Sequence, residues 1–218
     1  IMFHELEEML CEITGFDVEL GQAVAEKLGV ELRLQPIEWD SKVLELNAGN
    51  IDMIWNGLSI TDERLLQMSF SDPYLNNRQI VLVQNDMTIS EVSDLVGLKV
   101  GVQIDSSGQS VLQDNAVYAT IGEMVQFNSF NDALLDLDSG RIDAIVIDEI
   151  MARYVVSQNT YSVVVTDVSL GDDVYGVGFR LEDTVLRDRI DAILDELYDE
   201  GIVSQISIKW FGEDVFLD

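Results

Sequence analysis

Apolar residues along this chain switch repeatedly between a spacing near 3.6 and a spacing near 2, which predicts helices alternating with strands. In TGFDVELGQAVAEKLG, from Thr14, the residues Phe16, Leu20, Ala23, Val24 and Leu28 fall on one helical face, and Gly29 ends it. Thr14-Gly15-Phe16-Asp17 has the spacing of a capping box at that helix's start. Residues 30–34 alternate as a strand. A short helix over 41–48, a strand over 51–55, a helix over 61–68 and a strand over 79–83 follow. A second series opens near Ser90 with a helix stopped by Gly97. It continues with strand 99–102, helix 108–115, strand 123–127, helix 130–139, strand 142–147, helix 148–157 and strand 162–165. Residues 175–179 form a further strand, 183–199 a long amphipathic helix, and 202–211 a last helix that ends before Gly212.

Two segments repeat one pattern. LNAGNIDMI (46–54) and LDSGRIDAI (137–145) both read L-x-x-G-x-I-D-x-I. In each, a helix ends at a glycine able to take the left-handed conformation, and a short apolar strand follows at once. Such a strand is expected to be buried on both faces, as in a parallel sheet. The repetition is read as two copies of one lobe plan. The second series has a strand, 99–102, ahead of its first full helix. Its counterpart would lie before Thr14, yet Phe3, Leu6, Leu10 and Ile13 stand at helical spacing there. The first lobe is therefore expected to lack or to have altered its opening strand, and a strand from another copy would fill the gap by domain swapping.

Composition narrows the function classes. The chain's 218 residues are long for one α/β domain and sufficient for two small ones, and 47% are hydrophobic. Twelve basic residues stand against 41 acidic ones, a net charge of −29. Nucleic acid and anionic membrane surfaces would be repelled. One cysteine, Cys11, allows no intrachain disulfide, and one histidine, His4, makes a histidine relay or a His-rich metal site improbable. No apolar run approaches the roughly 20 residues of a membrane helix. Residues 1–13 carry acidic charge and no basic stretch, so a signal segment is expected to be absent from this sequence.

Candidate chemistry concentrates in NGLSITDERLLQMSFSDPY (56–74). Gly57 follows a buried strand, at the end where a parallel sheet opens to a crevice. Ser59 offers a hydroxyl, Thr61 is placed to cap the next helix, and Arg64 brings a planar fork that matches a carboxylate. Equally, these residues describe a capped surface helix with a solvated arginine. Asp148 closes the strand RIDAIVI and opens a helix. It is either an N-cap or a carboxylate for a substrate ammonium. In GVQIDSSGQ (101–109), helix N-terminal amides with the hydroxyls of Ser106 and Ser107 suit an anionic group. Trp39 is either a core residue or an apolar wall for a ligand. Asn56, Gln103 and Trp39 would suit a polar or small ligand. No spacing marks a catalytic pair or a metal loop, and no cofactor is implied.

Five blocks together resemble the polar-amino-acid-binding proteins of bacterial ABC importers. They are TGFDVEL (14–20), LNAGNIDMIWNGLSITDER (46–64), FSDPY (70–74), DLVGLKVGVQ (94–103) and GRIDAIVIDE (140–149). The resemblance implies the α/β fold of two-lobed periplasmic binding proteins, each lobe a mostly parallel sheet flanked by helices. Lobe 1 would be residues 1–83 with 175–218 and lobe 2 residues 86–172, with hinge strands near 81–86 and 170–176. It implies closure over one free amino acid in the interlobe cleft, no enzymatic activity, and partners in the membrane subunits of an ABC transporter. It also implies an extracytoplasmic location, in the periplasm or as a lipoprotein on the outer face of the cell membrane. By position, Gly57 would give a backbone contact, Ser59 a hydroxyl to the ligand ammonium, and Arg64 the clamp on its α-carboxylate. Ser107 would join that clamp, Asp148 would hold the α-ammonium, and Trp39 would pack on the ligand.

The N-terminus departs from the family, and Asp105 stands where the family often has glycine. Three other functions compete. The first is a dehydratase-like enzyme on the same fold, with Glu149 as a candidate acid–base group. The second is a sensory module. The third is a non-binding member that assembles as a domain-swapped oligomer. Among ligands, neutral or cationic amino acids are favoured over glutamate and aspartate by the negative surface and Asp105.

Overall fold

The computed structural model describes residues 13–158 and 160–217. In chain order it forms α1 (Phe16–Leu28), α2 (Lys42–Asn47), α3 (Asp62–Leu65), β1 (Ser69–Phe70), β2 (Leu75–Gln84), β3 (Lys99–Gln103), α4 (Ser107–Asp114) and β4 (Glu123–Phe127). There follow α5 (Phe130–Asp138), β5 (Ala144–Asp148), α6 (Glu149–Ser157), β6 (Val163–Tyr175), β7 (Gly178–Phe179), α7 (Thr184–Asp199) and α8 (Ile202–Phe211). The chain divides into two compact units. One takes the described residues up to Ile37, Ser41–Asn76 and those from Val174 on; the other takes Glu38–Asp40 and Asn77–Asp173. No helix among the described residues is long and apolar enough to cross a membrane.

The second unit is built on a sheet of order β4-β3-β5-β2-β6. β3 runs parallel to β4 and β5, and β2 lies antiparallel to β5 from Gln79↔Asp148 to Val83↔Ala144. Because successive side chains point to opposite faces, the apolar run Ile80–Val83 fills two cores at once. Ile80, Leu82, Ile145 and Ile147 pack with Ala133, Leu134 and Leu137 of α5 and Ala152 and Val155 of α6. Val81, Val83, Val100, Val102 and Val146 pack with Leu95, Leu112 and Val117 on the other face. Each such side chain contributes about 1.5–3 kcal/mol by leaving water.

In the first unit α1, α7 and α8 pack on one another. Phe16, Leu20 and Val24 of α1 are buried, as are Ile190, Leu194 and Leu197 of α7. β1 and β7 pair antiparallel, and single bridges Ile54↔Gly178, Ser59↔Tyr175 and Leu75↔Phe216 continue the pairing. At Gly178 a Cβ would lie 2.7 Å from Leu58 Cδ2, so any side chain there would force Leu58 to shift.

Both copies of the repeat end in the same hydrogen-bonded turn. Asn50 N donates to Glu45 O (3.1 Å) and Gly49 N to Leu46 O (3.1 Å); Arg141 N donates to Asp136 O (2.9 Å) and Gly140 N to Leu137 O (3.0 Å). This is the Schellman closure, and it places Gly49 at φ 76° and Gly140 at φ 71°. Leu46 and Leu137 are both fully buried.

The structure corrects several expected elements. α1 is capped by Gly15 with no side-chain cap bond, so Thr14 builds no capping box. Residues 30–34 keep the alternation, with Leu32 and Leu34 more buried than Glu31 and Arg33, but pair with no strand among the described residues. Among the described residues the strand at 51–55 reduces to the bridge at Ile54. Alternation fixes which side faces inward, and a ladder additionally needs a partner. The helix expected over 61–68 stops at Leu65, because Ser69 and Phe70 are drawn into pairing with Phe179 and Gly178. The helix expected after Ser90 is a 3-10 turn, Val92–Leu95. The strands expected at 162–165 and 175–179 become one strand of 13 residues and one of two. β6 tolerates its Gly and Asp residues because it is an edge strand, where polar side chains meet water. The reading of residues 1–13, and with it His4 and Cys11, falls almost wholly outside the described residues.

Candidate functional site

In the first unit the segment after Ile54 turns sharply. Gly57 has φ 69°, and a Cβ there would stand 3.1 Å from the ring of Tyr175. Ser59 is buried and bridged to Tyr175. Thr61 caps α3 as expected, its hydroxyl accepting from Arg64 N (3.2 Å). Arg64 is not a solvated arginine: it is 8% exposed, and its Nη1 donates to Ser59 O (2.9 Å). The short helix thus carries the guanidinium and the loop before it supplies an anchor. Among the described residues Asn56 Oδ1 is buried without a hydrogen-bond partner. Behind this loop Tyr74 is buried among Phe16, Trp55, Tyr175 and Phe216. Its hydroxyl donates to Asp17 Oδ1 (2.9 Å), and burial followed by the Asp17 charge pushes its pKa well up.

In the second unit Asp148 stands at the N-cap position of α6 but makes no cap bond. Its Oδ1 accepts instead from Asn77 Nδ2 and Gln79 Nε2, both at 2.7 Å. Gln79 Nε2 also reaches Ser107 Oγ (3.0 Å), so one buried amide ties the start of α4 to the end of β5. Gly108 makes this approach feasible, since a Cβ there would lie 3.0 Å from Val146 O. Ser106 caps α4 by accepting from Gln109 N (3.1 Å). Asp105 takes the left-handed conformation, φ 57°, at the position where glycine would be unstrained. Trp39 groups with this unit, and its Nε1 donates to Asp105 O (3.2 Å). Gln103 is engaged elsewhere, donating to Asn128 O (3.0 Å).

Glu149 next to Asp148 is chelated. Arg78 holds it through two bonds (2.6 and 2.8 Å) and Arg153 through two more (2.8 and 2.5 Å). The Arg78 bonds, ahead of those from Arg153, lower its pKa to about 2. It is ionised and committed at neutral pH, which suits neither a general acid nor a free base.

The family model for bacterial extracellular solute-binding proteins, family 3, matches residues 4–213. The chain belongs to this family. The match includes residues 4–13, the segment that departs from the family's motifs. The chain is 33% identical to the L-cystine-binding protein of Escherichia coli (strain K12) over 209 residues, which is 94% of this chain and 76% of that one. It is 30% identical to the arginine-binding extracellular protein of Bacillus subtilis (strain 168), covering 91% of this chain and 78% of that one. Among solved structures, it superimposes with a TM-score of 0.89 on an ABC uptake transporter substrate-binding protein from Streptococcus pneumoniae with bound histidine. That pair is 38% identical and covers 94% of this chain and 85% of the other. The two-lobed α/β fold of the family is the fold of this chain; two of these relatives are named for binding cystine and arginine, and the third is a substrate-binding protein of an ABC uptake transporter.

Within the family frame, the expected site residues fall into two groups. Asn56, Gly57, Ser59 and Arg64 lie in one short stretch of the first unit. Ser107 and Asp148 meet through Gln79 in the second, where Trp39 and Gln103 are also found. Sequence reasoning passed over Asn77, Gln79 and Asp173. The signal was present: Asn77 and Gln79 sit two apart at the head of the run Ile80–Val83, so both side chains take one face of a strand that is otherwise apolar.

Proposed function

We propose that this chain binds a free amino acid and hands it, chemically unchanged, to the membrane subunits of an ABC importer. The observation that carries the reading is the disposition of Asp148. A carboxylate at a helix N-terminus that makes no cap bond, and is held instead by two buried amides, has its orientation fixed by side chains rather than by its own helix, as a residue placed to meet a ligand requires. In this reading Asp148 and the Ser59 hydroxyl receive the α-ammonium. Arg64, Ser107 and the amides opening α4 receive the α-carboxylate. Trp39 packs on the ligand, with Asn56, Gly57 and Gln103 completing the contacts. The relatives' names, for cystine, arginine and histidine, support an amino acid as the ligand. Hinge strands near 81–86 and 170–176 would let ligand binding shift an open–closed equilibrium. The chain would work outside the cytoplasm, in the periplasm or as a lipoprotein on the outer face of the cell membrane. The engagement of Glu149 by two arginines speaks against the dehydratase alternative.

The test is thermal unfolding with each common amino acid, followed by calorimetry. A ligand at 100 times its dissociation constant adds about 3 kcal/mol of stability. One or a few amino acids should raise the midpoint, and Arg64→Ala or Asp148→Ala should abolish the rise. A folded sample that responds to none sinks the reading. Light scattering on the same samples reads the oligomeric state, and a monomer would remove the domain-swapped homodimer.

A further inference from the structure

One buried amide is the common neighbour of two expected site residues in the second unit. Gln79 stands directly opposite Asp148 in the pairing of β2 with β5, and it is 1% exposed. Its Nε2 lies 2.7 Å from Asp148 Oδ1, 3.0 Å from Ser107 Oγ and 3.0 Å from Asp173 Oδ2. A single side chain thus spans the end of β5, the first residue of α4 and the edge strand β6. Asn77, two residues earlier on β2, shares the two carboxylates, donating to Asp148 Oδ1 (2.7 Å) and Asp173 Oδ1 (2.6 Å). The link to Ser107 comes through Gln79.

The chemistry of these neighbours fixes which way round the amide sits. An ionised carboxylate only accepts hydrogen bonds, so Asp148 and Asp173 together hold the nitrogen of Gln79, not its oxygen, towards Ser107. The oxygen is turned to the opening of α4, where a Cβ on Gly108 would crowd it at 3.1 Å. An amide nitrogen donates and does not accept. Ser107 therefore meets Gln79 with a lone pair, and its hydroxyl hydrogen is directed away from the amide, as a donor to an anionic group requires. The same nitrogen holds Oδ1 of Asp148 by a charge-assisted bond, which helps to set the plane of that carboxylate. Loss of this one nitrogen would release both orientations at once.

We propose that Gln79 is a positioning residue of the amino-acid site, which orients the Asp148 carboxylate and the donor side of the Ser107 hydroxyl together and acts through them rather than on the ligand. This rests on the amino-acid-binding reading of Asp148 and Ser107 and adds the residue by which the two are set. An α-ammonium and an α-carboxylate are common to all amino acids, so the effect of Gln79 falls on affinity as a whole and not on the choice of side chain.

The experiment is calorimetry on the full chain, with each common amino acid and cystine as probes, for Gln79→Met, Ser107→Ala and the double variant. Methionine keeps the length of the side chain and removes the donor. Gln79→Met should weaken every amino acid that binds the wild-type protein by about tenfold or more, and by a similar factor for each. In the Ser107→Ala background its penalty should shrink by about threefold or more, because the two changes break one linkage. Asn115→Ala removes the cap of the turn after α4, where Val117 N donates to Asn115 Oδ1 (3.0 Å). It should lower the unfolding midpoint and leave affinity unchanged; an equal loss of affinity there would reduce Gln79 to general stability and overturn the proposal. Unchanged affinity in Gln79→Met, or penalties that add in the double variant, would overturn it too, with amino-acid binding by the wild-type protein left standing. Should Gln79→Met not fold, Gln79→Asn, whose amide falls one methylene short of its partners, takes its place in the same comparison. Binding of no amino acid by the wild-type protein would overturn both the positioning role and the reading beneath it.

Discussion

Single residues in this protein are tuned by their immediate surroundings in opposite directions. Glu149, held by Arg78 and Arg153, has its pKa lowered to about 2, so its stabilising contribution is present above the ordinary carboxylate range and is lost as pH falls towards 2. Asp191 on α7 is the reverse. Burial, then the neighbouring Asp72 charge, pushes it up to about 6 against the Asp72 N–H bond (3.0 Å) that favours its ionised form. The folded state therefore prefers Asp191 protonated. Stability from this residue is full below about pH 4 and is lost as pH rises through about 6. Asp191→Asn keeps an acceptor for Asp72 N and removes the half-buried charge. Its unfolding midpoint should exceed that of the wild-type protein at pH 7 and coincide with it near pH 3.5. Equal midpoints at pH 7 would show that Asp191 ionises there without penalty. Such environments were invisible in the sequence, where Glu149 and Asp191 are two of 41 acidic residues.

At the scale of elements, the nine-residue repeat is a structural repeat. Leu46 and Leu137 anchor the two helices, and Gly49 and Gly140 close them with identical bonding. A Cβ at either glycine would meet nothing within 4 Å, so an alanine there is opposed by backbone conformation alone. Gly49→Ala and Gly140→Ala should each lower stability by about 1 kcal/mol, measured by urea unfolding. A loss at one position only would mean that the two turns are not equivalent. This much was legible, because helix stops and left-handed glycines are local. The strands after the turns were less so. The run Ala144–Ile147 has partners on both sides and becomes a full strand, whereas its counterpart at Ile54 makes a single bridge among the described residues. Likewise α3 is four residues long because β7 claims Ser69 and Phe70, a competition that no periodicity records.

The whole molecule is governed above all by its charge. A net −29 repels itself, and the repulsion is relieved by salt. The screening length falls from about 30 Å at 0.01 M to about 8 Å at 0.15 M. The unfolding midpoint should rise with NaCl, most steeply below about 0.15 M; a flat or falling curve would show that the acidic residues are already compensated. The sequence by itself determined the alternation of helices and strands, the doubled lobe plan, the family, and the candidacy of Arg64, Ser107 and Asp148. All of these follow from local periodicity, turn chemistry and motif order. Only the tertiary structure decided that Arg64 is buried rather than solvated and that Asp148 serves Asn77 and Gln79 rather than its own helix. It alone brought Asp173 to the same amides, across 94 residues of chain. The reason is physical: a charged residue's role depends on which groups share its desolvated space, and that is set by the pairing of distant strands.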